Sequence, residues 1–359
     1  MTFTTARRTR MAATSLVALG LIASACGGSS KTSSPGSSAT TGVPPTASVP
    51  GGTLNGSGST FQKPFDDDAI QAFTKLHSGV TINYSGGGSG KGQSDLANHL
   101  VDFAGTDSLV KDLSKYPGGI LYFPTVVGPI TLSYNLTGVK KLTLTPVEIA
   151  KIFDGTIKNW NDAALAPDNP GLPNQPIIPV HRADGSGTTS NFTKYLTKAD
   201  PTDWTVGSGT TVNWPGGQAG TGNPGVANII KSTSGAIGYV DFSDATASGL
   251  SLASVKNASG NVVTPSLASA SAAAAGATVN ADLTYDPTNS PAPDAYPITS
   301  PTWIIVYKTQ SDPTKAAILK GFLGYLLGVA QGDIAKQDNF APLPASLQKQ
   351  AVDQLSQLG

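Results

Sequence analysis

Apolar and polar positions along the chain alternate between a strand period of two and a helix period near 3.6. Val80-Thr81-Ile82-Asn83-Tyr84 has the strand period, and Thr53-Leu54-Asn55, Ile177-Ile178-Pro179-Val180, Gly238-Tyr239-Val240-Asp241 and Thr302 to Tyr307 read the same way. Ile120 to Phe123 and Val126 to Tyr134 read as two more strands, and Val101 to Asp107 as a buried strand ending on an acid. Helical stretches fall between them. One starts near Pro64, with Asp66, Asp67 and Asp68 in its first turn and Ile70, Phe73 and Leu76 on one face. A second carries Leu96 and Leu100. Thr145-Pro146-Val147-Glu148 forms a capping box, opening a helix through Ile149, Ile152 and Phe153 that stops at Asp154-Gly155. Further helices are expected over 190–197 (Phe192, Tyr195, Leu196), from Asn223-Pro224 (Val226, Ile229, Ile230) and over 313–330 (Ile318, Phe322, Leu323, Leu326). The Ser- and Ala-rich run 266–277 reads as an exposed helix or loop. Strands alternating with helices predict an α/β body.

The turns carry the chemistry. Gly56-Ser57-Gly58-Ser59-Thr60-Phe61 and Gly86-Gly87-Gly88-Ser89-Gly90-Lys91-Gly92 each follow a strand and precede a helix, and so does Arg182-Ala183-Asp184-Gly185-Ser186-Gly187-Thr188-Thr189. Glycines let backbone N–H groups converge, hydroxyls add short donors, and the first turn of a helix leaves its own amides unpaired. With the helix dipole and a guanidinium fork added, this is the chemistry of a small-oxyanion site. In open α/β sheets such turns lie at the carboxyl ends of strands, where ligands gather. The pattern of a nucleotide-binding P-loop fails around Lys91, because Ser85 and Gly92 stand where its first Gly and its hydroxyl belong. The nucleophile elbow G-x-S-x-G fails around Ser186, where Asp184 takes the first Gly position. His181 reads as a strand-end side chain, and the scattered Trp160, Trp204, Trp214 and Trp303 as core.

Composition narrows the candidates. The 359 residues suffice for one large domain or two lobes. Charge is balanced at 23 basic against 23 acidic residues; removing the first 25 residues takes away Arg7, Arg8 and Arg10 and no acid, leaving 20 against 23, a net of −3. Without clustered Lys and Arg, nucleic acid is a poor partner. Three histidines (His77, His99, His181) and one cysteine do not suggest a multi-ligand zinc site or a cysteine catalyst, and neither a metal nor a cofactor is expected.

The N-terminus reads as an address. Arg7, Arg8 and Arg10 precede an uncharged, largely apolar run from Met11 to Ala25, about fifteen residues against the roughly twenty that a membrane span needs. This predicts a signal peptide at 1–25. Cys26 directly follows Ala23-Ser24-Ala25 and resembles the lipobox cysteine of bacterial lipoproteins, although that family prefers Leu where Ala23 stands. The alternative is a secreted chain with an incidental thiol. Residues 27–52 are nearly all Gly, Ser, Thr, Pro, Ala and Val, a composition too poor in apolar surface to fold. A coil of that length spans roughly 25–30 Å, which suits a tether to a membrane face.

Taken together, Gly-Ser-Gly-Ser-Thr-Phe (56–61), Gly-Gly-Ser-Gly (87–90), Val-Asp-Phe-Ala-Gly-Thr-Asp (101–107) and Arg-Ala-Asp-Gly-Ser-Gly-Thr-Thr (182–189) resemble the periplasmic phosphate-binding proteins of bacterial ABC phosphate importers, the PstS family. Phe-Pro-Thr-Val-Val-Gly (123–128), Ile-Lys-Asn-Trp-Asn-Asp (157–162), Gly-Ala-Ile-Gly-Tyr-Val (235–240) and Tyr-Pro-Ile-Thr-Ser (296–300) support the likeness, which spans about 53 to 350. The resemblance implies a two-lobed type II periplasmic binding protein fold, each lobe a mixed sheet flanked by helices. Lobe I would be 53–125 plus 299–359 and lobe II 126–298, with crossovers near Phe123–Val127 and Pro297–Ser300. It also implies a monomer that binds phosphate, is no enzyme, and hands its ligand to a membrane permease. Its phosphate ligands would be Thr60, Phe61 through its backbone N–H, Ser89 and Asp107 from the first lobe. Arg182, Asp184, Ser186, Gly187 and Thr188 would come from the second. The family usually has a small residue where Lys91 stands, and that ammonium is expected in solvent.

Phosphate at neutral pH keeps a proton, so Asp107 is the expected acceptor for it; sulfate, fully deprotonated, would face the carboxylate with lone pairs. Arg182 would supply the countercharge and Asp184 would hold its fork. The competing readings are another tetrahedral oxyanion such as sulfate, a secreted phosphatase-like enzyme, and a surface sensor or antigen.

Overall fold

The computed structural model describes residues 48–359. The expected signal peptide at 1–25, Cys26 and the 26–52 linker up to residue 47 lie outside them. The described chain opens with β1 (Gly52–Gly58), α1 (Lys63–Leu76), β2 (Val80–Gly86), α2 (Ser89–Ala97), β3 (Phe103–Thr106) and the long strand β4 (Ile120–Tyr134). There follow β5 (Thr143–Leu144), α3 (Pro146–Phe153), β6 (Ile178–Arg182), α4 (Gly187–Ala199), β7 (Gln218–Gly220), α5 (Gly222–Ser232), β8 (Ala236–Asp241) and α6 (Phe242–Ala247). The chain continues through β9 (Ser251–Leu252), β10 (Ser254–Lys256), β11 (Val262–Val263) and α7 (Leu267–Ala275). It ends with β12 (Thr299–Tyr307), α8 (Pro313–Leu327), α9 (Asp333–Gln337) and α10 (Ala345–Gln354).

The strands join in the order β2-β1-β3-β12-β4-β8-β6-β7, with β9 beside β4 and a small separate sheet of β11, β10 and β5. Two parallel groups stand on either side of β4. On one side β2, β1 and β3 run parallel. On the other, β8, β6 and β7 do. β4 links them: its first part pairs antiparallel with β12 and its last five residues, Ile130 to Tyr134, with β8. Each half has its own aromatic core. In the first, Phe322 of α8 meets Phe73 and Phe103 at 5.5 and 5.9 Å; in the second, Phe192 lies between Phe153 and Tyr239 at 4.8 and 4.5 Å. All these rings are buried, and burial of this kind stabilises by about 1.5–3 kcal/mol per large apolar side chain.

Most expected elements are present, including the Thr145–Glu148 capping box, closed in both directions, and the inward Ile318, Phe322, Leu323 and Leu326 of α8. Four expectations need correcting. The two strands expected over 120–134 are one. Helix α2 stops at Ala97, so Leu100 lies beyond it and is 69% exposed. Helix α4 begins at Gly187, three residues before the apolar pattern does, because the Ser186 hydroxyl caps it by accepting from the Thr189 N–H. The 266–277 run is not a bland exposed segment: α7 buries Ala270, Ala273 and Ala274, and packs on β4 and β12.

Candidate functional site

The carboxyl ends of β1, β2, β3, β6 and β7 all feed the same region, and the expected ligand residues sit there. Ser89 is the first residue of α2, capped by Gly88 at φ +86°. A side chain at Gly88 would collide with the Asp184 carboxylate and, at 2.5 Å, with the Gly185 carbonyl, so the left-handed glycine lets the two halves meet. The Gly90 N–H donates across that seam to the Gly185 carbonyl at 2.9 Å.

Asp107, one residue past β3, is 2% exposed. The Ser59 hydroxyl donates to its Oδ1 at 2.5 Å and the Ser89 hydroxyl to its Oδ2 at 3.4 Å, while its own N–H donates to Ser89 Oγ at 3.1 Å. Burial pushes this carboxyl up to about 7, against the opposing pull of Ser59, Arg182 and Ser89. From behind, Asn191 Nδ2 donates to the Asp107 carbonyl at 2.6 Å and to Ser300 Oγ at 2.9 Å.

Arg182 ends β6, and its side chain is 1% exposed. Its backbone N–H donates to Tyr239 Oη at 2.9 Å, its Nε donates to Asp184 Oδ1 at 2.8 Å, and its Nη2 donates to Asp184 Oδ2. Burial alone would raise the Asp184 carboxyl; the fork of Arg182 and the Gly222 N–H, donating at 2.9 Å, hold it below its ordinary value instead. The remaining nitrogen, Nη1, lies 3.5 Å from Thr188 Oγ1. Gly187 and Thr188 are the first residues of α4, ahead of its first intrahelical bond.

Gly187 is a second point of close approach between the halves. A Cβ there would lie 2.5 Å from Ser89 Oγ and 2.6 Å from Asp107 Cβ. Gly187→Ala is therefore expected to destabilise the protein by about 1–3 kcal/mol, read as a lowered denaturation midpoint. Wild-type stability in that variant would contradict the packing described.

The nine expected residues fall together, but not all in the same way. Phe61 is fully buried and its N–H already donates to Ser59 Oγ at 3.0 Å. Ser186 spends its oxygen on the α4 cap. Thr60 is half-buried, its Oγ1 accepting from Asn223. Lys91 points away: its ammonium pairs with Asp95 at 2.6 Å and is half exposed. Sequence reasoning missed Ser59, Asn191 and Asn223. Ser59 lies inside the Gly56–Phe61 turn, between Gly58 and Thr60; Asn191, one turn into α4, and Asn223, at the start of α5, are single polar residues that carry no pattern. A cavity of about 610 Å³ is bordered by Asp107 and Asn191, with Lys111, Lys194 and Asp286 along its walls.

The raised Asp107 carboxyl makes stability depend on pH. Its folded value, about 7, exceeds the unfolded value of roughly 3.9, so between those limits the folded state holds the extra proton. Its contribution is complete below about pH 4 and lost as pH rises through about 7. In ligand-free protein the unfolding free energy should therefore fall by about 2–3 kcal/mol from pH 5 to pH 8 on account of this group, and Asp107→Asn should lack that share of the fall. Asp66 and Asp241, also raised chiefly by burial, act in the same direction in both proteins; the Asp107 charge adds a smaller part of their rise, which Asp107→Asn removes with it. Equal pH slopes in urea titrations would contradict it.

A family model described as a PBP superfamily domain matches residues 36–329. The phosphate-binding protein PstS of Xylella fastidiosa strain Temecula1 is 36% identical over 305 residues, 83% of each chain. Phosphate-binding protein PstS 2 of Mycobacterium tuberculosis is 34% identical over 358 residues, 94% of this chain and 95% of that one. Among solved structures, a high-affinity periplasmic phosphate-binding protein bound with phosphate aligns with a TM-score of 0.68 at 24% identity, over 83% of this chain and 92% of that chain. That last likeness speaks for the fold, the two-lobed one of periplasmic binding proteins.

Proposed function

Because the chain belongs to the PstS family of phosphate-binding proteins, we propose that it binds one inorganic phosphate ion between its two halves, outside the cytoplasm, and delivers it to the permease of an ABC importer. The observation that carries this reading is the meeting at Gly187 of a buried carboxyl, Asp107, with the starts of α2 and α4 and the Arg182 fork. Many donors around one acceptor fit an oxyanion that keeps a proton.

In this reading Thr60, Phe61, Ser89 and Asp107 hold the ion from the first half. Arg182, Asp184, Ser186, Gly187 and Thr188 hold it from the second. Arg182 neutralises the charge, Asp184 orients the guanidinium, and the hydroxyls and amides fill the remaining oxygen lone pairs. Asp107 accepts the ligand's proton; with its carboxyl near neutrality, one proton lies between the two oxygens. Sulfate brings no proton and, wherever Asp107 is ionised, meets the carboxylate lone pair to lone pair; a buried acceptor left unpaired is what rejects a ligand strongly.

The halves are 53–125 with 299–359, and 126–298. β4 crosses from one to the other and the chain returns where β12 begins beside it, and the shift of register between Pro301 and Trp303 is a natural point of bending. Ligand contacts from both halves favour the closed form, which the permease recognises. Cys26, acylated, tethers the monomer to the outer face of the cytoplasmic membrane. The protein is a carrier and not an enzyme, so a chromogenic phosphate ester should not turn over.

The deciding experiment is isothermal titration of protein freed of ligand by unfolding and refolding. Phosphate should bind one to one and tightly, with a large excess of sulfate present. Absence of heat with phosphate, or displacement by sulfate, would overturn the reading.

A further inference from the structure

We infer that Asn223 is a positioning residue: it turns the hydroxyls of Thr60 and Thr188 into obligate donors and, through Thr60, latches the two halves shut. This rests on the phosphate reading above and adds to it a residue that acts through the hydroxyls of two ligand residues.

Asn223 is the second residue of α5, in the turn that follows β7, and is fully buried. The residue before it, Gly222, already donates to Asp184. The Asn223 backbone N–H donates to Thr60 Oγ1 at 3.2 Å, and its Nδ2 donates to Thr60 Oγ1 at 3.3 Å and to Thr188 Oγ1 at 3.2 Å. Asn223 Oδ1 is buried with no protein partner, so the amide is held by its donor side alone.

A hydroxyl has two lone pairs and one proton. At Thr60 both lone pairs face Asn223. At Thr188 they face Asn223 Nδ2 and Arg182 Nη1. Each hydroxyl has only its proton left to give, which is the polarity an oxyanion needs. Turned the other way, with Asn223 as acceptor, the same side chain would consume both protons and present the ligand with lone pairs. The geometry also crosses the seam. Thr60 follows β1 in the first half, while Asn223 and Thr188 start helices of the second. The bonds to Thr60 therefore exist only when the halves are closed.

The test is phosphate titration of wild type, Asn223→Ala, Asn223→Asp, Thr60→Val and the Asn223→Ala/Thr60→Val pair, with denaturation midpoints of each ligand-free protein as the control for folding. Asn223→Ala should weaken phosphate by about 10- to 100-fold, the worth of one or two hydrogen bonds to a charged ligand. Asn223→Asp, nearly the same shape, should weaken it further, because a carboxylate takes the hydroxyl protons. In the Thr60→Val background the alanine substitution should cost distinctly less, since part of its effect runs through that hydroxyl. Wild-type affinity in Asn223→Asp, or an alanine cost equal in both backgrounds, would overturn the inference while leaving phosphate binding intact. A wild-type protein that does not bind phosphate overturns the function itself, and the inference with it.

Discussion

Arg182→Met should weaken phosphate binding by about a thousandfold or more. Hydrogen bonds to a charged partner contribute about 1.5–3 kcal/mol each, and the guanidinium is the buried cation of the candidate site, with two N–H groups not given to Asp184 or Thr188, so losing it costs up to two such bonds and the countercharge. The substitution also strands Asp184. That carboxyl is held ionised by the Arg182 fork, and without it an uncompensated negative charge faces the incoming anion. Arg182→Lys separates these effects. It keeps the charge but cannot make the parallel pair of bonds to Asp184, so an intermediate loss of about 10- to 100-fold is expected. Titration calorimetry on both variants checks it, with ligand-free stability measured alongside, since removing one partner of a buried pair destabilises by about 3–5 kcal/mol on its own. Affinity within a few fold of wild type in the methionine variant would remove Arg182 from the site.

Asp107→Asn should abolish the preference for phosphate over sulfate while harming phosphate affinity less. A buried acceptor matched to one particular donor discriminates by about 10⁴-fold, because the wrong ligand leaves it unpaired. The amide of Asn can turn its NH₂ toward a ligand without a proton, so sulfate gains and phosphate loses one bond. The ratio of affinities is expected to fall to about tenfold. Ser59 and Ser89 face different carboxylate oxygens, so in the amide one keeps donating to the remaining oxygen while the other reverses its hydroxyl and accepts from the NH₂, and the fold has no reason to give way. Competition titrations read the ratio directly; an unchanged ratio would defeat the role given to this carboxyl.

How much of this was legible beforehand depended on whether the information was local. The octet Arg182 to Thr189 declared its chemistry because cation, carboxylate, glycines and hydroxyls are adjacent. The start of α4 was misplaced because Gly187, Thr188 and Thr189 have no apolar period; only the Ser186 cap reveals the first turn. Strand β4 was divided because Pro124 breaks a strand pattern. In the sheet, Pro124 lies opposite Trp303, beside the register shift in β12, where the missing N–H costs no regular ladder bond. Helix α7 looked featureless because Ala and Ser give no contrast between its faces, although small side chains are what let it sit close on β4 and β12. Leu100 falls beyond a helix that ends sooner, at Ala97 with Asn98 as its cap, before His99 turns back at φ +54°. Asn223 was invisible for a different reason. Its partners Thr60 and Thr188 lie 163 and 35 residues away, and only the closing of the halves brings all three together.

The most direct measurement of the central claim is a crystal structure of the protein grown with phosphate. A tetrahedral ion is expected between the halves, within hydrogen-bonding distance of Asp107, Arg182 and Thr188 at once. An ion bound elsewhere, or an Asp107 carboxyl turned away from it, would contradict the account.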